Sequence, residues 1–107
     1  MCMKKQYMRD SKRNKIGVMV AIKDGDHVYL GFSKCNTKVD KFNKTIGTDM
    51  ALGRARKYFD TSLDQIYSLM PESVVSQIQE FLQTTMTRNP DHKFPLWACQ
   101  LHVGIDV

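Results

Sequence analysis

The chain has 107 residues, of which 42% are apolar and 9% aromatic, and this predicts one domain with a single modest hydrophobic core. Because such a core leaves a small stability margin, we expect a homo-oligomer. The longest apolar run, residues 16–22, is too short for the roughly 20 residues of a membrane-spanning helix. We therefore expect no membrane partner, no secretion signal and a cytoplasmic location.

The three cysteines, Cys2, Cys35 and Cys99, are widely spaced and contain no C-x-x-C pair. Their number and spacing do not fit a disulfide framework or a zinc site, so we predict unpaired thiols, no metal and no cofactor. One alternative is that Cys35 and His27 meet across the end of a hairpin as nucleophile and base. It is the weaker hypothesis, because nothing else in the sequence orients the histidine.

The net charge of +5 is concentrated at the N-terminus. Residues 1–15 contain six basic side chains and one acidic one, whereas the other residues contain ten of each sign. We interpret this segment as a flexible basic arm, which either attracts phosphates or is a solvated leader. Its candidate nucleic-acid-binding residues are Lys4, Lys5, Arg9, Lys12, Arg13 and Lys15.

Residues 16–22 alternate apolar side chains with small or apolar ones, which predicts a strand buried on both faces. The pair Asp24-Gly25 follows, and an Asp-Gly pair between two strand-like runs is typical of a tight hairpin turn. We therefore predict that residues 27–34 pair back antiparallel.

Residues 42–59 show helical spacing, with Ile46, Met50 and Gly53 on one apolar stripe. Leu52, Ala55 and Phe59 lie close beside that stripe. Glycine inside a helix costs about 1 kcal/mol relative to alanine. The pattern thus indicates either close packing at Gly53 or a helix that begins only after Gly47.

A short helical turn is expected at residues 63–67, and Pro71 then opens a second long helix that ends at residues 88–91. The apolar stripe of that helix is Val74, Ile78, Phe81, Leu82 and Met86.

Residues 94–103 are predicted to form a short apolar strand, and Pro95 fits only an edge strand or the first residues of a strand. The whole pattern predicts an α+β fold, with the arm over residues 1–15 and one domain over residues 16–107. In that domain a small hairpin-based antiparallel sheet packs against two helices.

The usual catalytic motifs are missing from the sequence. The six glycines fall into neither the Walker nor the dinucleotide-binding spacing, and there is no G-x-S-x-G or H-E-x-x-H motif. We therefore predict a binding protein and not an enzyme.

Two basic clusters are candidates for binding an anion. Arg54, Arg56 and Lys57 lie on the first predicted helix, near aromatic side chains that are able to stack on a base. The alternative is a solvated helix face beside core aromatics. Arg88 and His92 follow the second helix, where the alternative is a basic C-terminus that complements the helix dipole.

Part of the chain resembles a family of small bacteriophage proteins. The matching segments are IGVMVAIK at residues 16–23, LGFSKCN at residues 30–36 and DKFNK at residues 40–44, followed by Gly47 and ALGRA at residues 51–55. Some members are similar to the Thoeris anti-defence sponges of the first-described type, which hold immune signals derived from cyclic ADP-ribose between two subunits. Residues 61–107 match nothing.

The resemblance implies a phage counter-defence protein that sequesters a small (cyclic) nucleotide immune signal in the infected bacterial cell without catalysis. Its candidate ligand-binding residues are Phe42, Asn43, Arg54, Lys57, Arg88 and His92. A second hypothesis is a host-takeover module that binds nucleic acid, or a host protein that processes it, through the basic arm. A third is an inhibitor that presents a strand edge to a host protein.

Overall fold

A computed structural model describes residues 2–37, 39–70 and 72–103 of the chain. The described residues form one antiparallel sheet and four α-helices, which confirms the predicted α+β class. The strands are β1 (Cys2–Arg9), β2 (Lys15–Asp24) and β3 (His27–Lys34), and the helices are α1 (Lys44–Tyr58), α2 (Leu63–Leu69), α3 (Val75–Arg88) and α4 (Leu96–Val103).

The predicted hairpin is confirmed as β2 and β3. Asp24 pairs with His27, so the connection has two residues. Gly25 occupies the first of them with φ 63°, a conformation in which glycine meets no steric penalty.

The prediction of a flexible arm was wrong for Cys2–Arg9, which form the edge strand β1. This strand pairs with β2 from Cys2 opposite Lys23 to Arg9 opposite Lys15, and the sheet order is β1-β2-β3. Of its eight residues only Met8 is buried, which is why the sequence shows no apolar alternation. Met1 lies outside the described residues.

Asp10 builds the turn between β1 and β2. Its carboxylate accepts hydrogen bonds from the backbone N–H groups of Lys12 and Asn14, both at 2.9 Å. Arg13 adopts φ 69° in the same turn. These local bonds reverse the chain and bring β1 alongside β2.

β2 is the central strand, and helices cover both faces of the sheet. Val18, Val20 and Ile22 pack against α1. Met19 and Ala21 belong to the larger cluster on the other face, which includes α3 and α4. We call these two sides the α1 face and the α3 face.

The predicted apolar stripe of α1 was wrong at Ile46 and Met50, whereas burial close beside it is confirmed at Ala55. Ile46 and Met50 are 59% and 44% exposed, while Ala51 and Ala55 are fully buried. The cause is Gly31 on β3, where an added Cβ would lie 2.1 Å from the carbonyl oxygen of Ala51. A helix this close to the sheet accommodates only small side chains, so the large ones turn outward.

The two alternatives for the α1 glycines are also decided. The helix begins at Lys44, before Gly47, so it does not start after that glycine. A Cβ at Gly47 would lie 3.1 Å from Cγ2 of Val18, whereas one at Gly53 would meet open space among the described residues. Close packing therefore occurs at Gly47 and not at Gly53.

The second long helix is confirmed as α3, preceded by a 3-10 turn over Glu72–Val74. Pro71 lies outside the described residues. The buried side of α3 consists of Ile78, Phe81, Leu82 and Thr85.

The strand predicted for residues 94–103 was wrong, because Leu96–Val103 form helix α4. A short, uniformly apolar run has no period that separates strand from helix. In the fold, Trp97, Ala98 and Leu101 are buried, and this is the spacing of one helix side. The indole Nε1 of Trp97 donates a hydrogen bond of 2.7 Å to the carbonyl oxygen of Tyr58.

Across the described ranges, no helix is both long and apolar enough to cross a membrane.

Candidate functional site

A groove of about 730 Å³ separates the α3 face of β1 and β2 from the second half of α3. Its apolar floor includes Ala21, Val28 and Phe81, and its walls are polar. We call it the α3 groove. The other lining residues are Cys2, Met3, Lys4, Lys5, Gln6, Lys23, Thr84, Thr85, Arg88 and Asn89.

Two lysines enter the groove from the sheet because of the strand register. Lys4 lies opposite Ala21, and Cys2 lies opposite Lys23. Lys4 and Lys23 are therefore diagonal neighbours on one face, with about 7–8 Å expected between such positions. Both side chains are exposed, so their ammonium groups are available to a ligand.

Arg88 supplies the third cation from the end of α3, on the opposite wall. Asn89 connects the two walls, because its Oδ1 accepts a hydrogen bond of 3.3 Å from Nζ of Lys23. The same residue caps the helix: its Nδ2 donates to the carbonyl oxygen of Thr85 at 2.9 Å. This bond partly neutralises the negative helix end that would otherwise repel an anion.

The hydroxyl groups of the groove are already used as donors. Thr84 Oγ1 donates to the carbonyl oxygen of Glu80 at 3.1 Å, and Thr85 Oγ1 donates to that of Phe81 at 2.8 Å. The hydrogen-bond donors left for a ligand are thus mainly cationic. Among the described residues that line the groove there is no Asp or Glu.

Phe42 and Asn43 lie away from this groove, at the start of α1. The ring of Phe42 packs edge-on against Tyr7, with 6.1 Å between ring centroids. Asn43 is the N-cap of α1, since its Oδ1 accepts from the backbone N–H of Ile46 at 3.0 Å. Both also line a second depression of about 480 Å³ beside Cys35.

The basic cluster of α1 does not form one site. Arg56 bonds to Asp24 at 3.0 Å and lies 4.5 Å from the ring centroid of Tyr29, so it holds α1 against the hairpin. The bond to Asp24 raises the pKa of Arg56. Arg54 donates to the carbonyl oxygen of Phe32 at 3.4 Å.

Two further candidate ligand-binding residues also lie apart from the groove lining. Lys57 is exposed on α1. His92 is partly buried in the turn after α3, where its backbone N–H donates to the carbonyl oxygen of Asn89 at 3.2 Å. Its Nδ1 is buried, with no hydrogen-bond partner among the described residues. Of the six candidates, the groove lining includes only Arg88.

The basic residues of the N-terminal segment are divided among three places. Lys4 lines the α3 groove, while Lys15 lies on the α1 face above Tyr7. Lys5 belongs to both places, because it lines the groove and its Nζ lies 5.4 Å from the ring centroid of Tyr7. The remaining three, Arg9, Lys12 and Arg13, lie at or in the turn between β1 and β2.

Comparison with protein-family models, with curated proteins and with solved structures found no match for this chain.

The hypothesis of a Cys35–His27 pair was wrong. His27 begins the eight-residue strand β3 and Cys35 follows its last residue, so the two lie at opposite ends of the strand. His27 instead contacts Asp26, with 2.6 Å between Nδ1 and Oδ1. This contact lowers the pKa of Asp26.

Sequence reasoning missed Lys23 and Asn89 as groove residues. Their pairing depends on β2 and α3, which are 66 residues apart along the chain at this contact. The predicted strand ended at residue 22, and extending its alternation by one residue would have placed Lys23 on the side of Ala21.

Proposed function

We propose that the chain binds a phosphate-bearing small molecule of nucleotide size in the α3 groove and releases it unchanged. The observation that carries the proposal is the convergence of Lys4, Lys23 and Arg88 on a groove whose described lining has no carboxylate. A phosphate group is the ligand that such an arrangement favours, because arginine binds its oxygens through paired N–H groups and lysine adds a compact charge.

The size and the polarity of the groove fit the same ligand. About 730 Å³ lies within the range of roughly 300–1,000 Å³ that is usual for small-molecule sites. The apolar floor around Val28 and Phe81 provides a surface for a base or another flat group, while the cations lie at the walls. A nucleotide has both parts.

The residue types in the groove support binding without turnover. Lysine, arginine and asparagine side chains orient a phosphate, whereas Thr84 and Thr85 donate their hydroxyl hydrogens within α3. In the biological context that the resemblance of residues 16–55 implies, the ligand is a nucleotide immune signal. Sequestration of that signal is then the effect of the protein on its host.

Calorimetric titration with ADP, cyclic ADP-ribose and a cyclic dinucleotide tests the proposal. We expect saturable binding of at least one of them, weakened by Lys23→Ala and abolished by Arg88→Glu. Lys41→Ala removes one exposed cation outside the groove lining and is the matched control.

Heating the complex and measuring the released ligand by mass spectrometry tests the absence of turnover. Recovery of the intact compound supports the proposal. A hydrolysed product, or equal affinity of wild type and Arg88→Glu, would contradict it.

A further inference from the structure

A second group of cations lies on the α1 face of β1, opposite the α3 groove. Nζ of Lys15 lies 4.4 Å from the ring centroid of Tyr7, and Nζ of Lys5 lies 5.4 Å from it. Lys44 begins α1 two residues after Phe42, whose ring centroid lies 6.1 Å from that of Tyr7, so the start of the helix lies beside the same tyrosine. We call Lys5, Tyr7, Lys15 and Lys44 the Tyr7 cluster.

Three different elements bring the lysines together. Lys5 and Tyr7 are two residues apart on β1 and so share a face, while Lys15 begins β2. Phe42 fixes the tyrosine ring, with an interplanar angle of 87°. The positions of these side chains are therefore set by the packing of three elements and not by one exposed loop.

The charges of this cluster are not compensated within the described part of the chain. None of Lys5, Lys15 and Lys44 forms a salt bridge with a described carboxylate. The first turn of α1 contains no acidic residue, although a helix N-terminus favours negative charge. Placing Lys44 there is unfavourable by itself, and a bound anion would offset that cost.

The ionisation of Tyr7 and Lys15 agrees with this local excess of positive charge. The pKa of Tyr7 is lowered, first by the neighbouring side chain of Lys5 and further by the charges of Lys15 and Lys44. The pKa of Lys15 is lowered by burial and by Lys44. The lowered pKa of Tyr7 means that the surroundings of its hydroxyl favour a negative charge, whereas that of Lys15 reflects its burial first and the neighbouring Lys44 second.

We propose that Lys5, Lys15, Lys44 and the hydroxyl of Tyr7 form a second binding site for a phosphate group. A phosphate has enough acceptor oxygens for three ammonium groups and one hydroxyl, and each such bond is charge-assisted. Lys5 also lines the α3 groove, but its Nζ lies near Tyr7, and none of the four side chains is among the cations proposed to hold the nucleotide. The second site can therefore be tested separately from the α3 groove.

The phosphate has two possible sources, a free phosphate compound or the backbone of single-stranded nucleic acid. We would titrate the full chain with inorganic pyrophosphate and, separately, with a ten-residue oligothymidylate. The readout is the set of backbone NMR signals of Lys5, Tyr7 and Lys15. We expect saturable shifts at these residues with at least one of the two probes.

Lys44→Gln is the decisive variant, with Lys41→Gln as its matched control three residues earlier in the chain. We expect Lys44→Gln to weaken binding at the Tyr7 cluster about tenfold, the size of one lost charge-assisted bond. Arg88→Ala should leave it unchanged. Tyr7→Phe keeps the ring and removes the hydroxyl, so it tests that group without disturbing the packing.

The two probes separate the sources. Oligothymidylate that binds more tightly than pyrophosphate, with a salt dependence reduced in Lys44→Gln, supports a nucleic-acid strand. Pyrophosphate that binds at least as tightly supports a free phosphate compound. Absence of shifts with both probes, or equal affinity of wild type and Lys44→Gln, would overturn the proposal.

Discussion

The side chain of Gln77 on α3 pairs with both backbone groups of Arg9 at the free edge of β1. Its Nε2 donates to the carbonyl oxygen of Arg9 at 2.7 Å, and the N–H of Arg9 donates to its Oε1 at 2.8 Å. The carboxamide thus replaces one residue of a neighbouring strand. This contact attaches an otherwise exposed edge strand to the helix that forms the other wall of the α3 groove.

Gln77→Ala should loosen the end of β1. Two hydrogen bonds are lost, and each such bond contributes about 0.5–1.5 kcal/mol, so we expect a loss of about 1–3 kcal/mol in the free energy of unfolding. Urea denaturation measures the loss, and faster hydrogen exchange at the Arg9 amide locates it. Gln83→Ala, at an exposed position on the same helix, is the control and should change neither quantity appreciably.

Gly31→Ala should separate α1 from the sheet. The new Cβ would lie 2.1 Å from the backbone oxygen of Ala51, and backbone atoms cannot move aside locally. We expect a loss of at least about 2 kcal/mol in the free energy of unfolding, or failure to fold.

The matched control for Gly31 is Gly53→Ala, which lies at an exposed position inside α1 where the added methyl group meets open space among the described residues. It should stabilise the protein by about 0.5–1 kcal/mol, because alanine is the better helix former. Thermal denaturation of both variants should give shifts of opposite sign. Shifts of the same sign would contradict the packing described for α1.

Trp97→Phe should show how strongly α4 is fixed to α1. The substitution keeps most of the buried ring but removes the 2.7 Å hydrogen bond to the carbonyl oxygen of Tyr58. We expect a loss of about 1–3 kcal/mol in the free energy of unfolding, measured in denaturant. Leu96→Ala, at a position 69% exposed on the same helix, should cost much less. Equal effects of the two variants would exclude a special role for the indole.

Asp10 should make stability depend on acid pH. The backbone N–H of Asn14 is the main cause that lowers the pKa of Asp10 below its ordinary 3.8. A lowered pKa in the folded state means that the stabilising contribution is present above 3.8 and is lost as pH falls through the folded value. Asp10→Ala should therefore differ most from wild type at pH 6 and approach it near pH 2. A difference that does not change with pH would contradict this assignment.

Two elements could be predicted from the sequence because local patterns specify them. The hairpin of β2 and β3 follows from alternation around Asp24-Gly25, and α3 follows from its apolar stripe. Arg88 was also a candidate from residue type and position, and it lines the α3 groove. Each of these sequence patterns is local, covering one helix or two consecutive strands, so it predicts the structure without any contact between distant segments.

The tertiary structure alone decided the rest, because there the deciding contacts join distant segments. β1 is polar by itself and becomes a strand by pairing with β2, while residues 96–103 form a helix whose Trp97 reaches the carbonyl oxygen of Tyr58. The exposure of Ile46 on α1 depends on the close approach of that helix to Gly31 on β3. The two cation clusters likewise exist only once β1 joins the sheet, since neighbouring lysines on a strand then point to opposite faces.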